Sequence, residues 1–558
     1  MRTFIIFILG ACLSLQVQGE HRGSAPKYEI RADWITTLGG LDWPSCKATS
    51  AAGIARQKQE LCDILDRLKA AHFNTVLLQV RLRGDVIYPS AIEGFAESLT
   101  GFTGRSPGYD PLQFAIDACH KRGLELHAWM VMIPVGSVRQ VKLQGRNSIV
   151  ARQPGICKLY RGTWYLDPGN PAASDYLSRI VAEVVSRYDI DGVHFDYIRY
   201  PENPEAFPDG DTYRKYGRKQ PLAMWRRDNI TAIVRRIYKE VKERKPWVKV
   251  SSSPVGKYRD TQRYPSHGWN AYHTVYQDAQ RWLREGIHDI LFPMMYFRRN
   301  HFYPFALDWK ENCAGRWVVP GLGIYFLRDQ DWALDEIVRQ VYFTRSIGLN
   351  GQAYFRNRFL LDNAKGVLDE LKERFYVYPA VLPPMTWGDS IAPSVPVRPL
   401  MTVKDDQVTF SWGASADNMQ LPVTYRLYAS NAYPVDVQDA TCLRETCLHD
   451  TRYTFMPDYP WQQRLYWAVT AVDRFGNESR PLALNTPGTF IGPQVWGDVP
   501  IPPLSEGDTL VVTDATGEEV KRIRRVDANA LSDLGHGLFF FRIEGRDGKV
   551  KQLGAHVQ

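Results

Sequence analysis

The chain has 558 residues, a formal net charge of +8, and a composition that is 44% hydrophobic and 23% charged. This length exceeds one ordinary domain but accommodates a barrel of about 250–350 residues followed by smaller modules. The positive charge is spread along the chain without a run of Lys or Arg, which excludes a dedicated nucleic-acid-binding protein. The 12% aromatic share offers ring faces that pack in cores and also stack on sugars.

The first residues have the pattern of a secretory signal peptide. Met1-Arg2-Thr3 precedes an apolar run from Phe4 to Leu15, and Gly19 is a small residue at the expected distance. We therefore expect residues 1–19 to be a cleaved signal peptide and the protein to be periplasmic or associated with the outer membrane. A lipoprotein anchored at Cys12 is the alternative. No other segment approaches the about 20 apolar residues of a transmembrane helix.

The cysteines do not indicate a metal site. Eight are present, one of them Cys12, and none shows the C-x-x-C spacing of metal ligands. Cys442 and Cys447 lie close together in "CLRETC", where an oxidising compartment could join them or both could stay free thiols. No cofactor and no metal are predicted.

Short apolar strands alternate with amphipathic helices from about residue 28 to 375. The strands are expected within 31–37, 74–89, 124–132, 190–200, 247–254, 288–297, 317–325 and 351–355. Between them apolar residues recur at spacings of three and four, as at Leu61, Ile64, Leu65 and Leu68. This alternation predicts a (β/α)8 TIM barrel over 28–375, and a doubly wound open sheet is the competing α/β fold.

The remaining sequence is different in character. A Pro-rich linker is expected at 376–400, followed by short alternating strands over 401–485 that predict an all-β sandwich. A second linker, 486–502, precedes a small β-rich C-terminal domain at 503–558.

The stretch "DGVHFDYIRYP" ends a predicted strand with a carboxylate. Alternation places His194 and Asp196 on the barrel side and Val193, Phe195 and Tyr197 on the helix side. A buried carboxylate is costly unless it is hydrogen-bonded or used, and TIM-barrel active sites lie at the carboxyl ends of the strands. We therefore predict that Asp196 is presented to a pocket, the alternative being an internal ion pair with Arg199.

The same reasoning selects further candidates for substrate binding. They are Gln79 and Arg81 on the second strand, Arg83 and Asp85 in the turn after it, His127 and Trp129 on the third, Tyr296 after the sixth, and Gln352 on the eighth. A pocket with Asp, His, Trp, Tyr, Gln and Arg suits a polyhydroxylated ring, because aromatic planes stack on it and polar groups bind its hydroxyls.

Glycoside hydrolysis usually needs a second carboxyl group. The fifth strand, "VKVSSSP", ends without an acid. Asp278, in "YHTVYQDAQRW", is therefore expected to be the catalytic partner of Asp196, with a helix-capping role as its alternative. Asp42 and Asp85 are the other candidates.

Several ordered motifs cover nearly all of 28–375. They read "RADWITTLGGLDWP", "NTVLLQVRLRGDVIYPS", "GYDPLQFAIDACHKRGLELHAW", "WYLDPGNP", "YDIDGVHFDYIRYP", "WRRDNI" and "YHTVYQDAQRWLREGIHDILFPMMYF". Together they resemble the bacterial glycosyl hydrolase-like 10 family. The resemblance implies a (β/α)8 barrel, glycoside hydrolase activity, and an acidic residue at Asp196 flanked by Tyr197, Arg199 and Tyr200.

One motif departs from that family. Its sixth-strand motif usually reads Pro-Gln-(Ile/Met)-Tyr-Trp, whereas this chain has Pro293-Met294-Met295-Tyr296-Phe297. The change affects contacts to sugar subsites more than the chemistry. Downstream, "YWAVTAVDRFGNES" resembles a fibronectin type III domain, and the tail faintly resembles C-terminal β-sandwich sorting domains of secreted bacterial proteins.

The leading hypothesis is an exported glycoside hydrolase that cleaves a polysaccharide, with cell-wall peptidoglycan as the natural candidate and an imported polysaccharide close behind. A carbohydrate-binding protein on a barrel that has lost catalysis is the second hypothesis. A metal-dependent deacetylase is the third, and it requires a His and Asp cluster that the sequence does not show.

Overall fold

The computed structural model describes residues 25–557 except 267, 405–406, 457–464, 488–494, 497–498, 501–503, 525–530, 532–533 and 535–537. The predicted signal peptide, 1–19, and Cys12 lie outside the described residues. Among the described residues, none of the helices combines the length and the apolar character that a transmembrane segment requires.

Eight parallel strands form the first domain. They are β1 Ile30–Ile35, β2 Thr75–Arg81, β3 Glu125–Val131, β4 Gly192–Asp196, β5 Lys249–Ser252, β6 Ile290–Leu291, β7 in two segments, Trp317–Val318 and Gly321–Leu322, and β8 Gly351–Tyr354. The main helices that follow them are α1 Ala51–Ala70, α2 Pro111–His120, α3 Pro171–Arg187, α4 Leu222–Arg244, α5 Ala279–Arg284, α6 Tyr303–Glu311, α7 Leu334–Ser346 and α8 Asn357–Leu361.

The strands close into a ring. β1 pairs in parallel with β2 and also with β8, through Ala32 opposite Thr75 and Asp33 opposite Tyr354. β7 completes the ring because its first segment pairs with β6 and its second with β8, on either side of Pro320. This closure confirms the predicted (β/α)8 barrel and excludes the doubly wound open sheet.

Local sequence explains the barrel helices. α1 begins after Ser50, whose side chain accepts a hydrogen bond from the Gly53 amide, and Leu61, Leu65 and Leu68 on one face are buried. α3 begins at Pro171 after Asn170, which caps it in the same way.

The barrel is filled by side chains and covered at its amino-terminal end. Trp34, Trp129 and Phe292 belong to an interior cluster that also contains Met385 from the predicted linker and Phe475 from the second module. The Pro-rich stretch therefore packs as a cover under the strands, which leaves the carboxyl ends as the open face.

The second module contains two antiparallel sheets. One contains the strands Val397–Lys404, Gln407–Gly413 and Arg452–Phe455, and the other contains Leu443–Leu448, Thr424–Ser430, Tyr466–Val472 and Leu482–Ala483. The first of these strands begins inside the predicted linker, at Val397. The two sheets confirm an all-β unit, and its likeness to a fibronectin type III domain stays a prediction. Cys442 and Cys447 are free thiols.

The C-terminal unit is also β-rich. A four-stranded antiparallel sheet contains Glu519–Ile523, Thr509–Thr513, Leu538–Glu544 and Val550–Val557. The exact domain limits proposed from sequence stay predictions.

Ion pairs attach the second module to the barrel. Arg474 Nη2 lies 2.7 Å from Asp189 Oδ1, and Lys27 Nζ lies 2.8 Å from Glu478 Oε2. Asp189 precedes β4 and Lys27 precedes β1, so the module contacts the end of the barrel opposite to the open face.

Candidate active site

A cavity of about 590 Å³ opens at the carboxyl ends of the barrel strands. Seven residues that the sequence selected line it, namely Gln79, Arg83, Trp129, Asp196, Tyr197, Arg199 and Tyr296. This is the position at which TIM barrels place active sites.

Asp196 lies at the base of the cavity with 7% of its surface exposed. Its Oδ1 accepts hydrogen bonds from the Tyr197 amide at 2.8 Å and from Ser253 Oγ at 3.1 Å, and its Oδ2 accepts one from Trp129 Nε1 at 3.3 Å. Burial raises the pKa of Asp196 in spite of these donors and the Arg199 charge, which lower it. The carboxyl group is therefore suited to hold and then donate a proton.

Arg199 connects the buried carboxyl group to the rim. Its Nη2 lies 3.6 Å from Glu202 Oε1, so its ion pair is made with Glu202 and not with Asp196. The guanidinium packs over the ring of Tyr197 at 4.6 Å and that of Trp269 at 5.7 Å. Its Nε is buried and has no hydrogen-bond partner among the described residues.

Beneath the cavity a chain of polar contacts supports β4. Trp34 Nε1 donates to His194 Nε2 at 3.2 Å, and His194 Nδ1 lies 3.0 Å from Ser251 Oγ. Burial holds the pKa of His194 well below its usual range, so the imidazole is neutral and serves as an acceptor for Trp34. His194 points inward as predicted, but it lies below the cavity and does not line it.

Aromatic rings form one wall of the cavity. Tyr296 stacks against Phe355 with ring centroids 5.3 Å apart and an interplanar angle of 25°. Burial, followed by the Asp196 charge, raises the pKa of Tyr296 well above its usual value. The Asp196 charge is the first cause of the raised pKa of Tyr197. Both hydroxyl groups therefore stay protonated and can donate hydrogen bonds to a sugar.

Tyr197 differs from its predicted orientation. Strand alternation placed it on the helix side, but its φ of 51° lies in the left-handed region and ends the regular strand. The backbone reversal turns the ring towards the cavity, where it is 39% exposed.

A hairpin between β3 and α3 forms the opposite wall. The strands Cys157–Tyr160 and Thr163–Leu166 are joined by a two-residue turn, Arg161 and Gly162, with φ values of 47° and 77°. Two positive φ values match the right-handed twist of a hairpin, and Asn or Gly is the usual choice at both positions. Arg161 occupies the first position and lines the cavity.

Two predicted residues hold the loop after β1. Gln79 Oε1 accepts hydrogen bonds from Thr36 Oγ1 at 2.7 Å and from the Leu38 amide at 3.1 Å. Asp42 does not line the cavity. Its fully buried carboxylate pairs with Arg356, which does, so Asp42 positions that guanidinium at the rim.

Arg81 and Gln352 were predicted to line the cavity, but the geometry of their strands points both side chains elsewhere. The pairing register of β2 and β3 shifts between Gln79 and Arg81, and this irregularity turns Arg81 outward into a buried ion pair with Glu93 at 2.6 Å. Gln352 faces the helices, where its Oε1 accepts a hydrogen bond from Tyr376 at 2.9 Å. Ala353 is the inward residue of β8. Both faces of a parallel strand are buried, so sequence alternation does not decide which one points inward.

Asp85, His127 and Asp278 also lie elsewhere. Asp85 lines a separate polar cavity with Glu93, and burial raises its pKa to about 7. His127 lies at the amino-terminal end of the barrel, 3.2 Å from Glu125. Asp278 precedes α5, and its Oδ1 accepts a hydrogen bond from Tyr258 at 2.5 Å without capping the helix through its side chain.

The structure adds cavity residues that sequence reasoning did not select. They include Trp34, Tyr160, Arg161, Tyr165, Glu202, Ser253, Phe355 and Arg356. Trp34 lies on β1 and Ser253 directly follows β5, and both faces of these strands are buried, so alternation did not single them out. Arg161 and Glu202 lie in loops, where no periodicity indicates direction.

Acidic side chains converge outside the cavity as well. In the part of the chain that the structure describes, Asp389, Asp417 and Asp473 place ligand atoms within 4.8 Å of one another, near the junction of the linker and second module. No comparable group of metal ligands involves the described cavity residues.

Comparison with known proteins gives the family. The model of the family Glycosyl hydrolase-like 10 matches residues 29–321. Glycosyl hydrolase YngK of Bacillus subtilis is 32% identical over 477 residues, covering 81% of this chain and 92% of that protein. Glycosyl hydrolase DigH of Escherichia coli K12 is 37% identical over 371 residues, covering 59% of this chain and 83% of that protein.

Among solved structures, the glycoside hydrolase domain of PgaB from Bordetella bronchiseptica matches with a TM-score of 0.43 and 15% identity, over 62% of this chain and 99% of that domain. The match to the family model and the identity to these relatives show that this chain belongs to the Glycosyl hydrolase-like 10 family.

Proposed function

We propose that this glycosyl hydrolase is exported and cleaves glycosidic bonds in a polysaccharide, the cell-wall glycan of peptidoglycan, with Asp196 as general acid. The observation that carries the proposal is the buried Asp196 carboxyl group, which faces a cavity large enough for sugar rings at the open end of the barrel. The predicted signal peptide supports export to the envelope.

The chemistry required of Asp196 follows from its surroundings. Burial raises its pKa and so favours the protonated form, which can deliver its proton to the glycosidic oxygen as the bond to the anomeric carbon breaks. Trp129 and Ser253 then stabilise the carboxylate that remains, since both are hydrogen-bond donors.

The cavity walls suit a charged glycan. Tyr296 and Phe355 offer ring faces for stacking on a sugar, and the hydroxyl groups of Tyr197 and Tyr296 can donate to its oxygens. Arg83 and Arg161 line the same cavity and form no ion pair with a described carboxylate. Free guanidinium groups favour a substrate that carries carboxylates, as muramic acid residues do.

Mass spectrometry of the products released from peptidoglycan glycan strands, with and without stem peptides, tests the proposal. We expect new reducing ends from the wild-type protein and from Asp63→Asn, an exposed control on α1, and none from Asp196→Asn. Equal products from Asp196→Asn and the wild type would remove Asp196 from the mechanism.

Carbohydrate binding without catalysis is the second candidate. It is favoured by the end of β5, where Ser253 stands at the cavity in place of an acid. Binding of glycan strands, measured by calorimetry, without any new reducing end on prolonged incubation would select this function.

A further inference from the structure

We infer that Glu202 is the second catalytic carboxylate and acts as the base that activates water in an inverting hydrolysis. The inference rests on the proposed function and replaces Asp278 as the partner of Asp196. Of the described residues that line the cavity, only Asp196 and Glu202 carry carboxyl groups.

The two carboxyl groups have opposite environments, as an acid and a base require. Asp196 is 7% exposed at the base of the cavity, whereas the Glu202 side chain is 61% exposed at the rim. Burial favours the neutral, proton-donating form of Asp196, whereas the Glu202 carboxylate lies in water at the rim, where a water molecule can approach it. Paired carboxyl groups divided in this way are the usual acid and base of a glycosidase.

The backbone that carries Glu202 is held on both sides. Upstream, the Tyr200 amide donates to the Val275 carbonyl at 3.1 Å. Downstream, the Tyr160 hydroxyl donates to the Asn203 carbonyl at 2.6 Å. These anchors fix the position of the loop while leaving the carboxylate exposed, so the base is placed by the fold and its side chain can still reach a water molecule.

A second downstream anchor fixes the same loop to α4. Arg226 Nη1 donates to the Pro204 carbonyl at 2.9 Å, and Arg226 is itself held by a buried ion pair with Asp209 at 2.8 Å. The loop is therefore fixed at a further point, although exposed loops are ordinarily mobile.

Arg199 connects the two carboxyl groups electrostatically. Its Nη2 lies 3.6 Å from Glu202 Oε1, and its charge also acts on Asp196. One buried guanidinium therefore lies close to the rim carboxylate and also stabilises the charge that Asp196 acquires when it releases its proton.

The reaction balances with these two groups and water. Glu202 takes a proton from water as the water oxygen bonds to the anomeric carbon. The bond from that carbon to the glycosidic oxygen breaks, and the oxygen leaves as an alcohol with the proton of Asp196. The anomeric configuration inverts, and the proton held by Glu202 returns to Asp196 through solvent.

The test uses Glu202→Gln, with Glu205→Gln as matched control. Glu205 is an exposed glutamate three residues away, and it does not line the cavity. On glycan strands freed of stem peptides, we expect kcat of Glu202→Gln to fall about 100-fold or more, as for the loss of a general base. Glu205→Gln should keep the wild-type rate.

Sodium azide provides the second readout, because azide needs no base to attack the anomeric carbon. We expect azide to restore turnover of Glu202→Gln and to give a glycosyl azide of inverted configuration, matching an inverted first product of the wild type by NMR. Wild-type activity in Glu202→Gln, or a first product that keeps its configuration, would overturn the inference. Failure of the proposed function is distinct, because it would leave Asp196→Asn as active as the wild type.

Discussion

Replacing Ser253 tests how its hydrogen bond affects the pKa of Asp196, the proposed acid. Its Oγ lies 3.1 Å from Asp196 Oδ1, and Ser253→Ala removes this donor with little change in volume. A hydrogen bond to a charged group contributes about 1.5–3 kcal/mol, and we take the lower value because the distance exceeds that of a short charge-assisted bond. At 1.36 kcal/mol per unit, the pKa of Asp196 should rise by about one unit.

The direction of the pKa change follows from the form of Asp196 that the Ser253 hydroxyl group stabilises. Ser253 favours the charged carboxylate, so its removal favours the protonated acid and extends activity to higher pH. The assay is the pH dependence of kcat/KM on glycan strands, whose basic limb reports the acid in the free enzyme. We expect this limb to move up by about one unit in Ser253→Ala.

Ser252 supplies the control on the same strand. Its hydroxyl group is buried and makes no hydrogen bond within the described residues, so Ser252→Ala removes a buried hydroxyl without touching the acid. The basic limb of this variant should stay at the wild-type pH. An unmoved limb in Ser253→Ala, or one displaced to lower pH, would refute the assignment of Asp196 as the acid.

Two further predictions concern the cavity wall and the module contact. Arg161→Gln should raise KM for glycan strands about 10-fold and leave kcat within a factor of two, because a lost charge-assisted hydrogen bond costs about 1.5 kcal/mol in both the ground state and the transition state. Steady-state kinetics measures both constants. An unchanged KM would show that the hairpin does not bind substrate. Burial raises the pKa of Glu478, but the charges of Arg426 and Lys27 outweigh it and lower the pKa to about 2. Glu478→Gln should therefore lower the free energy of unfolding by about 3 kcal/mol at pH 7, since it leaves the cations buried and unpaired. The wild-type protein should lose this contribution as the pH falls from about 4 to 2, because Glu478 is then protonated. Urea unfolding of both proteins at pH 7 and at low pH measures the difference in the free energy of unfolding. Equal stability of the two proteins at pH 7 would contradict the prediction.

Much of the barrel could be predicted because its strands and helices have different periods. Leu61, Leu65 and Leu68 recur with helical spacing and are buried on one face of α1. His194 and Asp196 alternate with apolar residues and point inward at the predicted end of β4. The apolar stripe of α1 marks the side of the helix that must leave water. Both faces of β4 are buried, so the inward direction of Asp196 follows instead from its place at the carboxyl end of a barrel strand.

The direction of other side chains depends on packing between segments, which cannot be read from one segment of the sequence. Arg81 left the cavity because the register of β2 shifts against β3, and Gln352 faces outward because both sides of β8 are buried. Tyr197 turned inward through a left-handed backbone conformation that interrupts the alternation of the strand.

The barrel, its open end and the inward position of Asp196 could be predicted from the sequence, because strand and helix periods and the order of elements are local properties of the chain. Which loops reach the cavity depends on tertiary packing, which brings Arg161 and Glu202 to the rim and leaves Asp278 against Tyr258. The physical reason is that loop direction is set by distant anchors, such as Tyr160 on Asn203, and not by the sequence of the loop.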